Sequence, residues 1–197
     1  AQRRVGVSSI ADVVDGTDAY TSLREAIADT AVDSITFDPS LDGGRIVLTQ
    51  GELSINKPMT ITGRGADKLA IDAAGASRVM SFWGGGTLNV SGLTITGGNS
   101  PDSGGGIFNA ANLTLTSVDV SGNVSGIIGG GVAVNSGSTL VVSSSVIHDN
   151  RAGTGGGGIG GHINAAEAIK VFSSTIANNA AHNGGGIAVM STHPTSY

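Results

Sequence analysis

The stretch that decides the fold is "ANNAAHNGGGIAV", Ala177 to Val189. It places an asparagine a few residues before three consecutive glycines, and a β-branched residue follows the glycines at once. The same phrase occurs as Gly104–Ile107, as Gly129–Val132 and at the end of the run Gly155–Ile159, at intervals of 25 to 28 residues. A phrase that returns at a nearly fixed interval indicates a repeat protein, in which each copy is one structural unit.

Short strands precede each glycine phrase. Counted from the start of the strand, each repeat has apolar residues at offsets of zero and two and apolar or small residues at offsets of five and seven. An asparagine or glycine follows at an offset of ten. Alternation with a period of two predicts β-strands, here bounded by Gly, Asn and Ser. The four copies begin at Leu88, Leu113, Leu140 and Ile169, and their tenth positions are Gly98, Asn123, Asn150 and Asn179.

The length of the repeat varies in only one connection. The distance from a strand start to the asparagine position is always ten residues, and the glycine phrase then follows at a nearly constant distance. From its β-branched residue to the next strand start, however, the gap grows from six residues to eight and then ten. Rigid coils with one elastic corner predict a single-stranded parallel β-helix, in which equivalent residues stack about 4.8 Å apart.

Stacking of this kind predicts ladders of identical positions. Asparagines at a corner can bond to backbone groups and to each other, and the glycines would either adopt positive φ or pack where no Cβ fits. The predicted ladders are Leu88/Leu113/Leu140/Ile169, Val90/Leu115/Val142/Val171, Ile95/Val120/Ile147/Ile176, Ile107/Val132/Ile159/Ile187 and Asn123/Asn150/Asn179.

The amino-terminal part predicts a cap for this solenoid. Ser22 and Glu25 have the spacing of a capping box, and Leu23, Ala26 and Ile27 lie on one face of a helix of about residues 21–31. A helix at this place would cover the core and strand edges of the first coil. We therefore expect a cap over residues 1–34 and a β-helix over 35–197, with regular repeats from about residue 84. We expect the solenoid to continue beyond residue 197.

Composition excludes several classes of function. The chain has 33 glycines but only four prolines, and aromatic residues make up 4%, so the core must consist of small and branched side chains. Of the ten Lys and Arg residues, only Arg151 and Lys170 follow Arg78, which argues against a nucleic-acid surface. No apolar run approaches the roughly 18 residues of a membrane span, and the absence of Cys excludes disulfides.

The sequence resembles two kinds of bacterial surface protein. "TSLREAI" followed by "SITFDPSLDGGRIVL" resembles the amino-terminal module of CSLREA-motif surface proteins, with Thr21 where that family has Cys. The phrases Ile147-x-x-Asn150 and Ile176-x-x-Asn179, each followed by glycines and Ile, resemble the FxxN and GGA-aliphatic repeats of polymorphic outer-membrane proteins. The resemblance implies a right-handed, pectate-lyase-like β-helix that is displayed on a cell surface or secreted, and it implies no reaction.

Catalysis on acidic polysaccharides would require stacked carboxylates that hold a cation, with a base nearby. In the predicted register neither Asp119 nor Asp149 stacks on another acid, so no acidic ladder forms. The segment His148–Gly153 offers His148 or Arg151 as a base and Asp149 as its orienting group or a metal ligand. The alternative, which we favour, is a solvated turn beside the asparagine ladder.

The other candidate residues give weaker signals. His162 and Glu167 lie in the elastic corner, where insertions in solenoids often carry binding. We expect His182 and His193 on the surface, and partial burial of the single tryptophan, Trp83, in an early coil.

We assign no catalytic, cofactor-binding or metal-binding residue. The sequence favours a noncatalytic, adhesin-like extracellular scaffold, stalk or fibre-forming subunit. A polysaccharide lyase or glycoside hydrolase is the alternative. Expected partners are a protein or polysaccharide at a cell surface, or further copies that associate end to end through an uncapped last coil.

Overall fold

The computed structural model describes residues 3–16, 21–163 and 168–191. Its strands wind in successive coils, and each coil contributes one strand to each of three parallel sheets. The first sheet contains β1 (Arg3–Val7), β2 (Val32–Phe37), β5 (Met59–Thr62), β8 (Thr87–Ser91), β12 (Asn112–Thr116), β16 (Thr139–Ser143) and β20 (Ile169–Phe172).

The other sheets follow in the same coil order. The second contains β3 (Gly44–Val47), β6 (Leu69–Asp72), β9 (Thr94–Thr96), β13 (Asp119–Ser121), β17 (Val146–His148) and β21 (Thr175–Ala177). The third contains β4 (Leu53–Ile55), β7 (Met80–Phe82), β11 (Ile107–Asn109), β15 (Val132–Val134), β19 (Ile159–Ile163) and β22 (Ile187–Ser191). A short fourth sheet contains β10 (Asn99–Ser100), β14 (Val124–Ser125) and β18 (Arg151–Ala152).

The predicted apolar ladders are confirmed in register. Leu113 pairs with Leu88 on one side and Leu140 on the other, and Ile169 continues the row. The rows that contain Val120 and Val132 run through the same coils in the second and third sheets. Most of these side chains are fully buried, so the three sheets enclose one continuous core of Val, Leu and Ile.

The asparagine ladder is also confirmed. The Asn123 Nδ2 atom donates to the Asn150 Oδ1 atom at 2.9 Å, and the Asn150 Nδ2 atom donates to the Asn179 Oδ1 atom at 3.0 Å. Each oxygen also accepts the backbone N–H of the asparagine in the preceding coil. At Gly98 the row ends, and its backbone N–H donates to Asn123. The ladder thereby satisfies polar groups that the corner would otherwise bury without partners.

Each glycine of the repeated phrase has its own structural requirement. The first, such as Gly129, has a positive φ of 66° and lies against the backbone of its own coil. The second, such as Gly130, lies so close to the next coil that a Cβ would come within 3.0 Å of backbone atoms of Arg151 and Gly157. The third, such as Gly131, lies on the next coil's glycine carbonyl. Both predicted reasons for glycine therefore apply, at different positions.

A cap covers the amino-terminal end of the core. Helix α1 spans Leu23–Ala28, which is shorter than the predicted helix, and buries the predicted face of Leu23, Ala26 and Ile27. The capping box is present: the Ser22 hydroxyl accepts from the Glu25 N–H, and Glu25 accepts from the Ser22 N–H. Within the range assigned to the cap, β1 adds a parallel strand to β2, so pairing begins before residue 35.

A buried ion pair attaches the cap to the first coils. Asp12, 5% exposed, accepts from Arg24 and from the backbone N–H groups of Thr49 and Gln50. Burial opposes ionisation of Asp12, but the bond from Arg24 and the two backbone donors outweigh it and lower the pKa of this carboxyl. Arg24 also donates to the carbonyls of Gly51 and Glu52.

The elastic corner lies between the third and first sheets. It contains Ala110 and Ala111 in one coil and Asn135–Ser138 in the next. The strands on either side stay in register, because Asn109 pairs with Val134 before the corner and Asn112 pairs with Thr139 after it. Among the described residues, no helix is both long and apolar enough to cross a bilayer.

Candidate functional site

A histidine held between two carboxylates lies on the outer face of the second sheet. The Nδ1 atom of His148 is 2.5 Å from the Oδ2 atom of Asp149, and its Nε2 atom is 3.2 Å from the Oδ2 atom of Asp119. The imidazole is 31% exposed, and Asp119 and Asp149 are 29% and 57% exposed. We call these three residues the histidine clamp.

Local backbone geometry produces the clamp. His148 is the last residue of β17 and lies beside Ser121 of β13, while Asp119 begins β13 two residues earlier and is on the same outer face. Asp149 follows His148 with a φ of 53°, a conformation that Gly122 and Asn178 adopt in the neighbouring coils. Asp is among the non-glycine residues that tolerate this region. The turn therefore directs the carboxylate of Asp149 back to the ring of His148.

The clamp favours the protonated form of His148. The hydrogen bond to Asp149 raises the pKa of His148, the bond to Asp119 and both acidic charges add to the increase, and partial burial opposes it. Because the pKa is raised in the folded state, the stabilisation is complete below the unfolded value of about 6.5. It is lost as the pH rises through the folded value. The second oxygen of Asp119 is buried without a hydrogen-bond partner among the described residues.

The clamp is poorly arranged for hydrolysis or proton abstraction. Both ring nitrogens of His148 already bond to carboxylates, so neither is free to accept a proton from a substrate. The two acids lie on opposite edges of the ring, so the imidazole fills the space between them, where a hydrolase with paired carboxylates would place sugar and water. What the arrangement does well is to join β13 to β17 through an ionic contact.

The sequence analysis grouped two of the three clamp residues, His148 and Asp149. Of the two interpretations of this segment, the less favoured one, in which Asp149 orients His148, agrees with the contact between them. Asp119 was missed, because only residues that stack directly were compared, and Asp119 stacks on Val146. The signal that could have found it is diagonal: on a strand pair, residues two positions apart on adjacent strands share a face and are in reach of long side chains.

The other predicted residues do not join the clamp. Arg151 is exposed at the start of β18, and no hydrogen bond in the described ranges links it to His148. It lines a shallow cavity of about 290 Å³ together with His182, which is on the surface as predicted. His162 is half-buried in β19. Glu167 and His193 lie outside the described residues.

The prediction that Trp83 is partly buried was wrong, because the side chain is mostly exposed. The residue is 57% accessible and follows the last residue of β7. The preceding residue, Phe82, is the one that faces the core, and it is fully buried. The alternation of a strand sends neighbouring side chains to opposite faces, so burial of Phe82 directs Trp83 outward.

Within the described ranges, no three His, Asp or Glu side chains are grouped so that they could share a metal ion. The stacked parallel sheets agree with a family model described as a right-handed beta-helix region, which matches residues 70–196. The chain belongs to the right-handed β-helix family. Searches of curated proteins and of solved structures gave no significant match to this β-helix.

Proposed function

We propose that the protein is a noncatalytic β-helical scaffold, displayed on a cell surface or secreted, that acts as a stiff adhesin-like stalk. The observation that carries the proposal is extensive bonding between coils. Even the glycine phrases bond from coil to coil: the backbone N–H of Gly104 donates to Ile128, that of Gly129 to Gly155 and that of Gly156 to Asn183. A coil joined at strands and corners alike resists local opening and proteolysis, because few backbone groups are free to detach.

The resemblance of the cap and the repeats to bacterial surface proteins supports the proposed location. The cap contains Thr21–Ile27 in the position of the CSLREA motif, and the repeats place Asn150 and Asn179 as the surface-protein repeats place their asparagines. The outer faces of the sheets add support, since Thr, Ser and Asn side chains are frequent there, as in Asn112–Thr116. Such a surface remains hydrated while the inward positions maintain the core.

The location is tested on the natural host with an epitope tag at the elastic corner, within Asn135–Ser138. We expect antibody to label the tag on intact cells, or to detect it in the culture medium. A cytoplasmic protein with the same tag is the control for lysis. Labelling that appears only after cells are broken would contradict the proposed display.

The alternative function is a polysaccharide lyase or glycoside hydrolase, and the histidine clamp is the observation that favours it. Carboxylates and a histidine on one outer sheet face are the residue types that such reactions use. Against it, His148 bonds to acids through both nitrogens and its pKa is raised. We therefore infer that the clamp joins two coils rather than acting on a substrate.

The two functions are separated by incubation with acidic and neutral polysaccharides, with and without Ca²⁺. Release of reducing ends and formation of unsaturated uronides are measured. We expect neither product above the level of heat-denatured protein. Product release by the wild type that is abolished in a folded His148→Asn variant would establish the enzyme and refute the scaffold.

A further inference from the structure

An aromatic pair of one exposed and one half-buried ring lies on the outer face of the third sheet. The rings of Trp83 and Phe108 have centroids 4.9 Å apart and planes inclined by 37°. Phe108 points outward from β11, in the row that contains Ser81 of β7, and Trp83 follows β7 by one residue. Trp83 is 57% exposed, so much of the indole surface faces solvent. We call Trp83 and Phe108 the aromatic platform.

A polar network holds the platform in place. The guanidinium of Arg78 lies 5.4 Å from the centre of the Phe108 ring, and its Nη1 atom bonds to Glu52. Glu52 also accepts a hydrogen bond from the Ser81 hydroxyl at 3.0 Å, and Ser81 is the residue that pairs with Phe108 in the sheet. The cation and Trp83 thus both contact Phe108, which favours one orientation of its ring.

The charges beneath the platform are already neutralised. The Nε atom of Arg78 donates to the Gly104 carbonyl at 2.8 Å, and its Nη2 atom donates to Ser100 and to the Ser103 carbonyl. With Nη1 bonded to Glu52, each nitrogen of the guanidinium has a partner, and the side chain is only 13% exposed. An acidic ligand would find no unpaired cation in this network.

The surroundings of the platform are small and polar. Asn56 is exposed and occupies the position aligned with Trp83 in the preceding coil, and Gly85 and Gly86 follow Trp83 with exposed backbone. A Cβ at Gly85 would meet nothing within 4 Å, so the space next to this glycine is open. Two rings are much too small for a stable protein interface, which buries at least about 1,000 Å². They match the apolar C–H face of a sugar ring, whose hydroxyls require polar neighbours such as these.

We propose that the aromatic platform binds a neutral hexose polysaccharide by stacking of sugar rings on Trp83, with Phe108 as the second ring. The C–H groups of a pyranose face carry partial positive charge and favour the negative face of an indole. The exposed amide of Asn56 and the backbone of Gly85 are placed to bond to hydroxyl groups. This proposal adds a ligand class to the proposed scaffold function. It rests on that function only for the place where binding occurs, the cell surface or the medium.

Trp83 is the only tryptophan of the chain, so its fluorescence reports on this site alone. We would titrate the whole chain with cellohexaose and mannohexaose as neutral probes and tetragalacturonate as the acidic probe. We expect a saturable change in emission with at least one neutral probe and none with the acidic probe. Absence of any saturable change, or a response to tetragalacturonate alone, would overturn the proposal.

Affinity electrophoresis in gels that contain neutral glucan or mannan provides a second measurement. We expect Trp83→Ala to lose at least about tenfold in affinity, and Phe108→Ala to lose less, with unchanged circular dichroism. Phe172→Ala is the matched control, because Phe172 is an outward aromatic residue, 54% exposed, on a different sheet. Equal retardation of Trp83→Ala and wild type would refute the platform. Neither result depends on where the protein is displayed, so the scaffold proposal is tested separately.

Discussion

At the scale of single residues, the close approach of neighbouring coils makes glycine irreplaceable at some positions and merely convenient at others. Gly130 lies against the backbone of Arg151 and Gly157, which cannot move without disturbing their own coil. Gly6, in β1, has open space where a side chain would begin, because a Cβ there would have no neighbour within 4 Å. The two residues are identical in type and opposite in environment.

We predict that Gly130→Ala lowers the free energy of unfolding by about 3 kcal/mol, since the added methyl overpacks against backbone. For a chain of this size, such a loss corresponds to a fall of about 6–12 °C in the melting temperature. Thermal unfolding followed by circular dichroism measures it. Gly6→Ala is the control and should change the free energy by less than about 0.5 kcal/mol. Similar melting temperatures for the two variants would contradict the packing argument.

Residues also differ in how well a sequence reveals their role. Stacked positions such as Leu113 and Asn150 were predictable. In a β-helix, equivalent residues of successive repeats contact each other, so aligning the repeats predicts these contacts directly. The contact of Asp119 with His148 and the exposure of Trp83 were not, because each depends on the direction of one side chain. The repeat pattern in the sequence shows only the features that recur in every coil. A contact that is diagonal, or that occurs in one coil alone, leaves no such pattern.

At the scale of elements, the cap shows how a six-residue helix is maintained. Helix α1 is too short to be stable alone, so it depends on packing and on its first turn. Glu25 accepts backbone N–H bonds from Ser22, Gly16 and Asp15. These bonds, that from Ser22 first, lower the pKa of Glu25 to about 2.

We predict that Glu25→Ala destabilises the protein by about 1 kcal/mol at neutral pH, as loss of a helix cap does. Because the folded pKa is depressed, the stabilisation is present above the unfolded value of 4.5 and is lost as the pH falls towards about 2. The difference between wild type and variant should therefore shrink over that range. Urea unfolding at a series of pH values measures it.

Asp67→Ala is the control for this prediction, since the Asp67 side chain is 78% exposed and its ion pair with Lys68 is loose. We expect this variant to unfold like the wild type at every pH. A difference for Glu25→Ala that stays constant or grows in acid would show that the carboxylate does not stabilise the cap as described.

At the scale of the whole molecule, the two ends of the described β-helix differ. The first coil is covered by α1 and by the segment that contains Asp12. In the last described coil Ile187 and Val189 are 43% and 48% exposed, and among the described strands β22 pairs only with β19. An open strand edge with apolar residues is a surface for pairing with another chain.

We predict that the 197-residue polypeptide, studied by itself, forms a symmetric dimer through the last described coil, because the covered first coil hinders head-to-tail addition. Sedimentation velocity over a range of concentrations should show a dimer at high concentration. Val189→Asp should weaken dimer formation at least about tenfold, since it places a charge in the apolar surface. Val146→Asp is the control, with Val146 39% exposed on the side of the β-helix. A strict monomer at all concentrations would contradict the prediction.

The elastic corner is the part of the β-helix that tolerates a change in length, whereas the strands on either side of it do not. Ala110 and Ala111 connect two strands directly, whereas Asn135–Ser138 does the same with a longer excursion, and the flanking pairs remain aligned. Length added there projects sideways and leaves the stacking of coils unchanged. Successive coils could thus acquire different loops along one side, one about every 5 Å. Such loops would change the exposed side of the β-helix while its core stays constant.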